Sequence, residues 1–124
     1  EFFSLISKFI GKLWHEWKSK NSVTTYLYKR RMTKERLGEM NPQKLFNYYI
    51  QAYETEYNIQ VIKRFKKVLN DKQTKVVLCT YDSFLFDFDI SDGLDTLKEL
   101  KNSMKIQSKV SIGANYGTMI DKSL

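Results

Sequence analysis

Residues 75–89 read KVVLCTYDSFLFDFD, two apolar runs around a short polar break. Val76, Val77, Leu78 and Cys79 form the first run, which has the length of a strand and, taken literally, is buried on both faces. In the second run Phe84, Phe86 and Phe88 alternate with Leu85 and Asp87, the period of two that a strand imposes on its side chains. Tyr81-Asp82-Ser83 lies between them and reads as a hairpin tip. The stretch predicts a β-hairpin over 75–89. A carboxylate at a tight turn between apolar strands is held by a packed scaffold, and Asp82 can there serve as a metal ligand aimed out of the sheet edge. Asp is also common in turns for a local reason, because its side chain satisfies nearby N–H groups. The stretch alone leaves both readings open.

Downstream, Ser91 is placed to cap a helix over 91–105, with Leu94, Leu97, Leu100 and Met104 on one face. Val110 and Ile112 mark a strand over 108–113, ending at Gly113. Upstream, Asn70-Asp71-Lys72 is a turn. Asn41-Pro42 opens a long helix over 41–69, since Asn caps well and Pro is tolerated at the first helical position. Phe46, Ile50, Tyr53, Tyr57, Val61 and Phe65 recur at helical spacing and are expected to face the core. Asn47, Gln51, Glu54 and Asn58 form a polar ridge on another side. Residues 23–28 have a β-favouring composition and predict a strand. Lys29 to Met40 reads as a mobile basic connection. Residues 1–20 predict an amphipathic helix whose apolar stripe is Phe2, Leu5, Ile6, Phe9, Ile10, Leu13 and Trp17. The order is helix, strand, helix, hairpin, helix, strand. It implies an α+β fold in which helices cover one face of a small, mainly antiparallel sheet made of the hairpin and the terminal strand.

The 124 residues have an ordinary globular balance, 42% hydrophobic and 28% charged, which argues against disorder. Aromatics reach 15%, so the core is expected to be built around Phe and Tyr. Twenty-one Lys and Arg against 14 Asp and Glu leave a net charge of +7. That surplus suits a polyanion such as nucleic acid, although a soluble domain with a solvated basic face accounts for it equally well. The single Cys79 allows neither an internal disulfide nor a zinc cluster, which fits a reducing compartment such as the cytoplasm. No role falls to His15. No run of about 18 apolar residues exists, so no membrane span is expected. The basic amphipathic helix of residues 1–20 has the character of one that lies on a membrane surface, but packing on its own protein is the favoured reading, and no membrane partner is expected. The first residue is not Met and no signal pattern follows it, so a fragment or processed product of a longer chain is expected.

The pieces resemble family A DNA polymerases at four places, in the family's order and at similar spacing. Asn21-Ser22-Val23-Thr24-Thr25 through Lys29-Arg30-Arg31 is similar to the family's strand ending in a Gly-Arg-Arg turn. Asn47-Tyr48-Tyr49-Ile50-Gln51 is similar to the Asn-x-Pro-x-Gln start of its long palm helix. Residues 79–88 resemble its third motif, which has a His-Asp-Glu centre and apolar flanks. Residues 110–116 resemble its terminal strand. The resemblance implies that the chain is the C-terminal part of a polymerase palm. Asp82 matches the aspartate that binds catalytic magnesium (Mg2+). Asn47 and Gln51 match residues that approach the minor groove near the primer end, where amides meet acceptors shared by all base pairs. Arg30 and Arg31 match a basic turn beside the template strand.

The chain also departs from the family's pattern. Tyr81 stands where the family has His, and its hydroxyl remains able to bond a primer phosphate or sugar. Ser83 stands where it has Glu, and Lys29 where it has Gly; these departures resemble bacteriophage polymerases and imply a bacterial host cytoplasm. Nothing resembles the motif carrying the partner aspartate, nor the nucleotide-binding fingers helix. The implied partners are primer-template DNA, a dNTP and the remaining N-terminal polymerase portion with fingers, thumb and the other palm residues, either on the same longer chain or separately encoded as in a split polymerase. The two-metal site is then completed outside this chain. The stripe of residues 2–17, with Trp14 and Trp17, is the expected contact surface for that portion. A non-enzymatic basic nucleic-acid-binding module, or a degenerate polymerase remnant, is the alternative.

Overall fold

The structure is a computed structural model that describes residues 2–80 and 82–124. It is α+β. The helices are α1 (Phe2–Lys20), α2 (Lys34–Leu37), α3 (Pro42–Val68) and α4 (Gly93–Ser103). The strands are β1 (Ser22–Thr24), β2 (Arg31–Thr33), β3 (Lys75–Cys79), β4 (Phe84–Asp87), β5 (Val110–Ile112) and β6 (Ile120–Lys122). They pair as three antiparallel two-stranded sheets, β1–β2, β3–β4 and β5–β6. The terminal strand β5 therefore pairs with β6 and does not join the hairpin β3–β4, contrary to the single sheet expected from the sequence. The chain divides into two compact units, Glu1–Tyr57 and Asn58–Leu124, and α3 contributes residues to both. Among the described residues no helix is long and apolar enough to cross a membrane.

In the first unit the core is Leu13, Trp17, Val23, Leu45 and Tyr49, with Trp14, Met32, Leu37, Met40 and Phe46 packed around it. Only the C-terminal half of the α1 stripe enters it; Phe2 and Leu5 stay 69% and 65% exposed. Trp17 is thus a core residue of its own unit, not a docking residue. Asn21 ends α1 in the left-handed region at φ 52°, its N–H donating to the Trp17 carbonyl, a helix stop for which Asn is suited. The strand expected over 23–28 stops at Thr24. A turn follows, and β2 returns in register Val23↔Met32 through the stretch expected to be a mobile connection.

Helix α3 starts as its sequence predicts: the Lys44 N–H donates to Asn41 Oδ1 at 2.8 Å, and Pro42 occupies the first helical position. Its expected core face is shifted in the first unit. Leu45, Tyr49 and Glu56 are buried there, whereas Ile50 and Tyr53 are exposed and Phe46 is half-buried. In the second unit Val61, Phe65 and Leu69 are buried. The buried stripe changes phase between Glu56 and Val61, so no single apolar stripe runs the length of the helix.

In the second unit the rings of Phe84 and Phe86 each meet Phe65 edge-on, with centroids 5.0 Å apart. Such pairs add to burial a preferred geometry that fixes the hairpin on the helix. The pairing of β3 with β4 shifts register between Val76 and Leu78, a bulge. Val77 and Leu78 are 55% and 47% exposed, so β3 is not buried on both faces. A sheet of two strands covered from one side leaves the other side in water. Helix α4 follows a 3-10 turn, Ile90–Asp92, in which Asp89 Oδ1, not Ser91, supplies the capping acceptor. It buries Thr96, Leu97 and Leu100 and leaves Leu94 exposed. Gly113 closes β5 where a side chain has no room: a Cβ there would lie 2.7 Å from the Thr118 carbonyl oxygen.

Candidate functional site

The hairpin turn is built from its own backbone. The Thr80 N–H donates to the Ser83 carbonyl at 2.9 Å, the pair Cys79↔Phe84 follows it, and the Thr80 and Ser83 hydroxyls are in contact. Asp82 sits in this turn with its side chain exposed. Tyr81 lies outside the described residues.

The base of the hairpin is fixed by a group that the sequence reading passed over. Thr74 is fully buried, and its hydroxyl donates to Asp92 Oδ2 at 2.6 Å. The Thr74 and Gln73 N–H groups reach the same oxygen at 2.8 and 3.0 Å. The Thr74 hydroxyl oxygen in turn accepts from the Asp89 N–H at 3.0 Å. The Thr74 hydroxyl is the largest influence on the Asp92 carboxyl. With the Thr74 and Gln73 N–H groups and the nearby Lys72 charge, it holds that carboxyl below its ordinary value despite the opposing effect of desolvation. One carboxylate thereby joins the start of α4 to the strand that leads to Asp82. Nothing in the local pattern of Thr74 or Asp92 signals this, because the partners are 18 residues apart.

The remaining site residues belong to the first unit. Asn47 and Gln51 are exposed on α3, one turn apart. Asn47 Oδ1 accepts a hydrogen bond from the Gln43 side-chain amide at 3.3 Å. Arg30 and Arg31 flank the start of β2. Arg30 is not a free surface cation: its Nε donates to Glu56 Oε2 at 2.6 Å, and 57% of its side chain remains exposed. Arg31 donates from Nη2 to the Ser22 hydroxyl at a long 3.3 Å and is exposed.

Glu56 is the larger surprise, a fully buried carboxylate on the core side of α3. It accepts from the Thr25 hydroxyl at 3.0 Å and from the Tyr28 N–H at 3.2 Å, besides Arg30. Thr25 Oγ1 also accepts from the Arg30 N–H, and the Thr25 N–H donates to the Arg30 carbonyl, both at 2.9 Å. These bonds turn residues 25–30 into a closed loop rather than the end of a strand. Beside it Tyr26 meets Tyr53 at 6.0 Å between ring centroids, and Lys29 Nζ lies 5.1 Å from the Tyr26 ring.

Among the described residues no group of three or more His, Cys, Asp or Glu side chains is placed to hold a metal ion. A single exposed carboxylate such as Asp82 fits one ligand position of a magnesium ion, which accepts one or two protein carboxylates and fills the rest with water and phosphate. No family model, curated protein or solved structure matches the chain.

Proposed function

We propose that the chain is the C-terminal palm piece of a family A DNA-directed DNA polymerase, incomplete without the portion that carries the second aspartate, fingers and thumb. The observation that carries the reading is Asp82: a solvent-exposed carboxylate in a closed turn, on a hairpin pinned to Phe65 at its face and to Asp92 at its base. A metal ligand needs that combination of access and fixed support. In this reading Asp82 supplies one ligand to a magnesium site completed from outside. A magnesium ion held there would supply positive charge to the phosphoryl group of the dNTP and to the attacking 3′ oxygen of the primer. Asn47 and Gln51 donate their amides to the minor-groove acceptors that every base pair shares. Arg31, less encumbered than Arg30, takes a template phosphate, and Tyr81 takes a primer phosphate or sugar through its hydroxyl.

The test is reconstitution. Mixed with a polymerase portion that bears the missing aspartate motif, the chain is expected to restore magnesium-dependent primer extension that neither part shows alone. Asp82→Asn abolishes it without a measurable change in melting temperature, because the side chain is exposed. Normal extension by the Asp82→Asn mixture sinks the assignment. The basic turn beside β2 favours a second reading, a non-enzymatic DNA-binding module. That reading predicts salt-sensitive DNA binding that is indifferent to magnesium and to Asp82.

A further inference from the structure

We propose that Tyr26, with Tyr53 and Lys29 beside it, is a stacking site for an unpaired base of single-stranded DNA. The choice of DNA as the polyanion rests on the proposed function; the site itself rests on the geometry. Tyr26 is 61% exposed and Tyr53 38% exposed, so neither ring is spent on the core. Their planes are inclined at 50° with centroids 6.0 Å apart, two aromatic surfaces open to solvent at one place.

The turn that carries Tyr26 is braced by hydrogen bonds. It is closed on both sides of its neck by the Thr25 and Arg30 hydrogen bonds, and it is tied inward by the buried Glu56. Lys29 adopts φ 55°, a conformation that a residue with a Cβ takes only when its surroundings impose it. The result sets its ammonium 5.1 Å from the Tyr26 ring centre. A ring carried on a braced backbone loses less freedom when a base stacks on it, and a base has an aromatic face whatever its identity.

The segment that carries the ring is basic. From Trp17 to Lys34 the sequence contains Lys18, Lys20, Lys29, Arg30, Arg31 and Lys34 and no Asp or Glu. The Glu56 carboxylate, which reaches the turn, is buried and engaged by Arg30. Arg30 and Lys34 are paired with Glu56 and Glu39, which leaves Lys29 as the cation at the ring. An exposed aromatic pair with a lysine ammonium beside it is complementary to a stacked base and its flanking phosphate. A duplex offers no such base, since its faces are already stacked. The site therefore distinguishes single strands from duplex.

The experiment measures fluorescence anisotropy of the intact chain with a short labelled oligothymidylate, with the same oligonucleotide carrying abasic residues, and with a duplex. Tyr26→Ala is expected to weaken oligothymidylate binding by about fivefold or more and to leave duplex binding within about twofold. Tyr26→Phe, which keeps the ring, is expected to retain affinity within about twofold. The wild-type chain should bind the abasic strand as weakly as the Ala variant binds oligothymidylate. Equal affinity of the wild type for the abasic and thymidylate strands overturns the proposal even if Tyr26→Ala were to misfold. Equal oligothymidylate affinity of a folded Tyr26→Ala also overturns it. Neither result touches primer extension through Asp82, and inactive reconstitution would leave the stacking site standing, so the two readings fail separately.

Discussion

Glu56 ties the turn of residues 25–30 to α3 through Thr25, Tyr28 and Arg30. Burial pushes its carboxyl up; the Arg30 hydrogen bond, the Tyr28 N–H, the Thr25 hydroxyl and the Arg30 charge together outweigh burial and leave it below the ordinary glutamate value. A carboxyl depressed in the folded state binds its proton more weakly there than in the unfolded chain. Its contribution to stability is therefore present above the unfolded value and is lost as pH falls through the lower folded one. Melting temperatures followed downward from neutral pH should fall steeply below about pH 4.5 in the native chain. Glu56→Gln should start lower at neutral pH and fall less, and parallel curves would remove Glu56 from the account. The two arginines should separate as well. Arg30→Ala leaves Glu56 buried without its cation and should cost about 2 kcal/mol in chemical denaturation, held below the full cost of breaking a buried pair by the exposure of Arg30. Arg31→Ala should stay within about 0.5 kcal/mol.

At the scale of elements, the hairpin and α3 act as one piece through Phe65. Removing that ring strips both Phe84 and Phe86 of their partner. Phe65→Ala should cost about 3–5 kcal/mol and should speed amide exchange along β3 and β4 more than in α1. Thr74→Val keeps the shape but withdraws a donor from Asp92; it should cost about 1–2 kcal/mol, with the loss of protection concentrated at the start of β3. Equal exchange in the two strands before and after either change would detach the hairpin from these supports. The elements that the sequence made legible are those with repeated periods. Phe84, Phe86 and Phe88 declared the returning strand, and Asn41-Pro42 declared the start of α3. The exposed turn at Asp82 was legible for the same reason, since two strands must be joined somewhere. The β5–β6 pair was not legible, because three residues per strand carry too little alternation to be told from a loop. The core face of α3 was legible at Val61 and Phe65, which are buried, but was misread at Ile50 and Tyr53, because the buried stripe there includes Glu56, a residue whose type argues for solvent. Val23 to Tyr28 has β-favouring residues throughout, yet the strand ends at Thr24 because Glu56, distant in sequence, captures Thr25 and Tyr28.

The whole molecule holds little core for its length. Among the described residues the first unit buries Leu13, Trp17, Val23, Leu45 and Tyr49, and the second buries Val61, Phe65, Leu69, Leu97 and Leu100. Units of this size bury a smaller share of their surface than larger domains do and are correspondingly marginal. At the same time large apolar side chains stay in water in both, Phe2, Phe3 and Leu5 in the first and Val77 and Leu78 in the second. Under the proposed function those side chains are covered when the rest of the polymerase is present. Any partner that binds only the folded chain raises its stability by mass action, about 2.7 kcal/mol at a hundredfold excess over Kd. The isolated chain is therefore expected to melt at a low temperature, and adding the complementary portion should raise the midpoint in proportion to the logarithm of its concentration. Phe3→Asp should leave the melting of the isolated chain unchanged, since that ring is 82% exposed, and should shrink the rise caused by the complement if α1 is part of the covered surface. A midpoint indifferent to the complement at saturating concentration would mean that the two parts do not assemble, and Asp82 would then be left with no second carboxylate to complete its site.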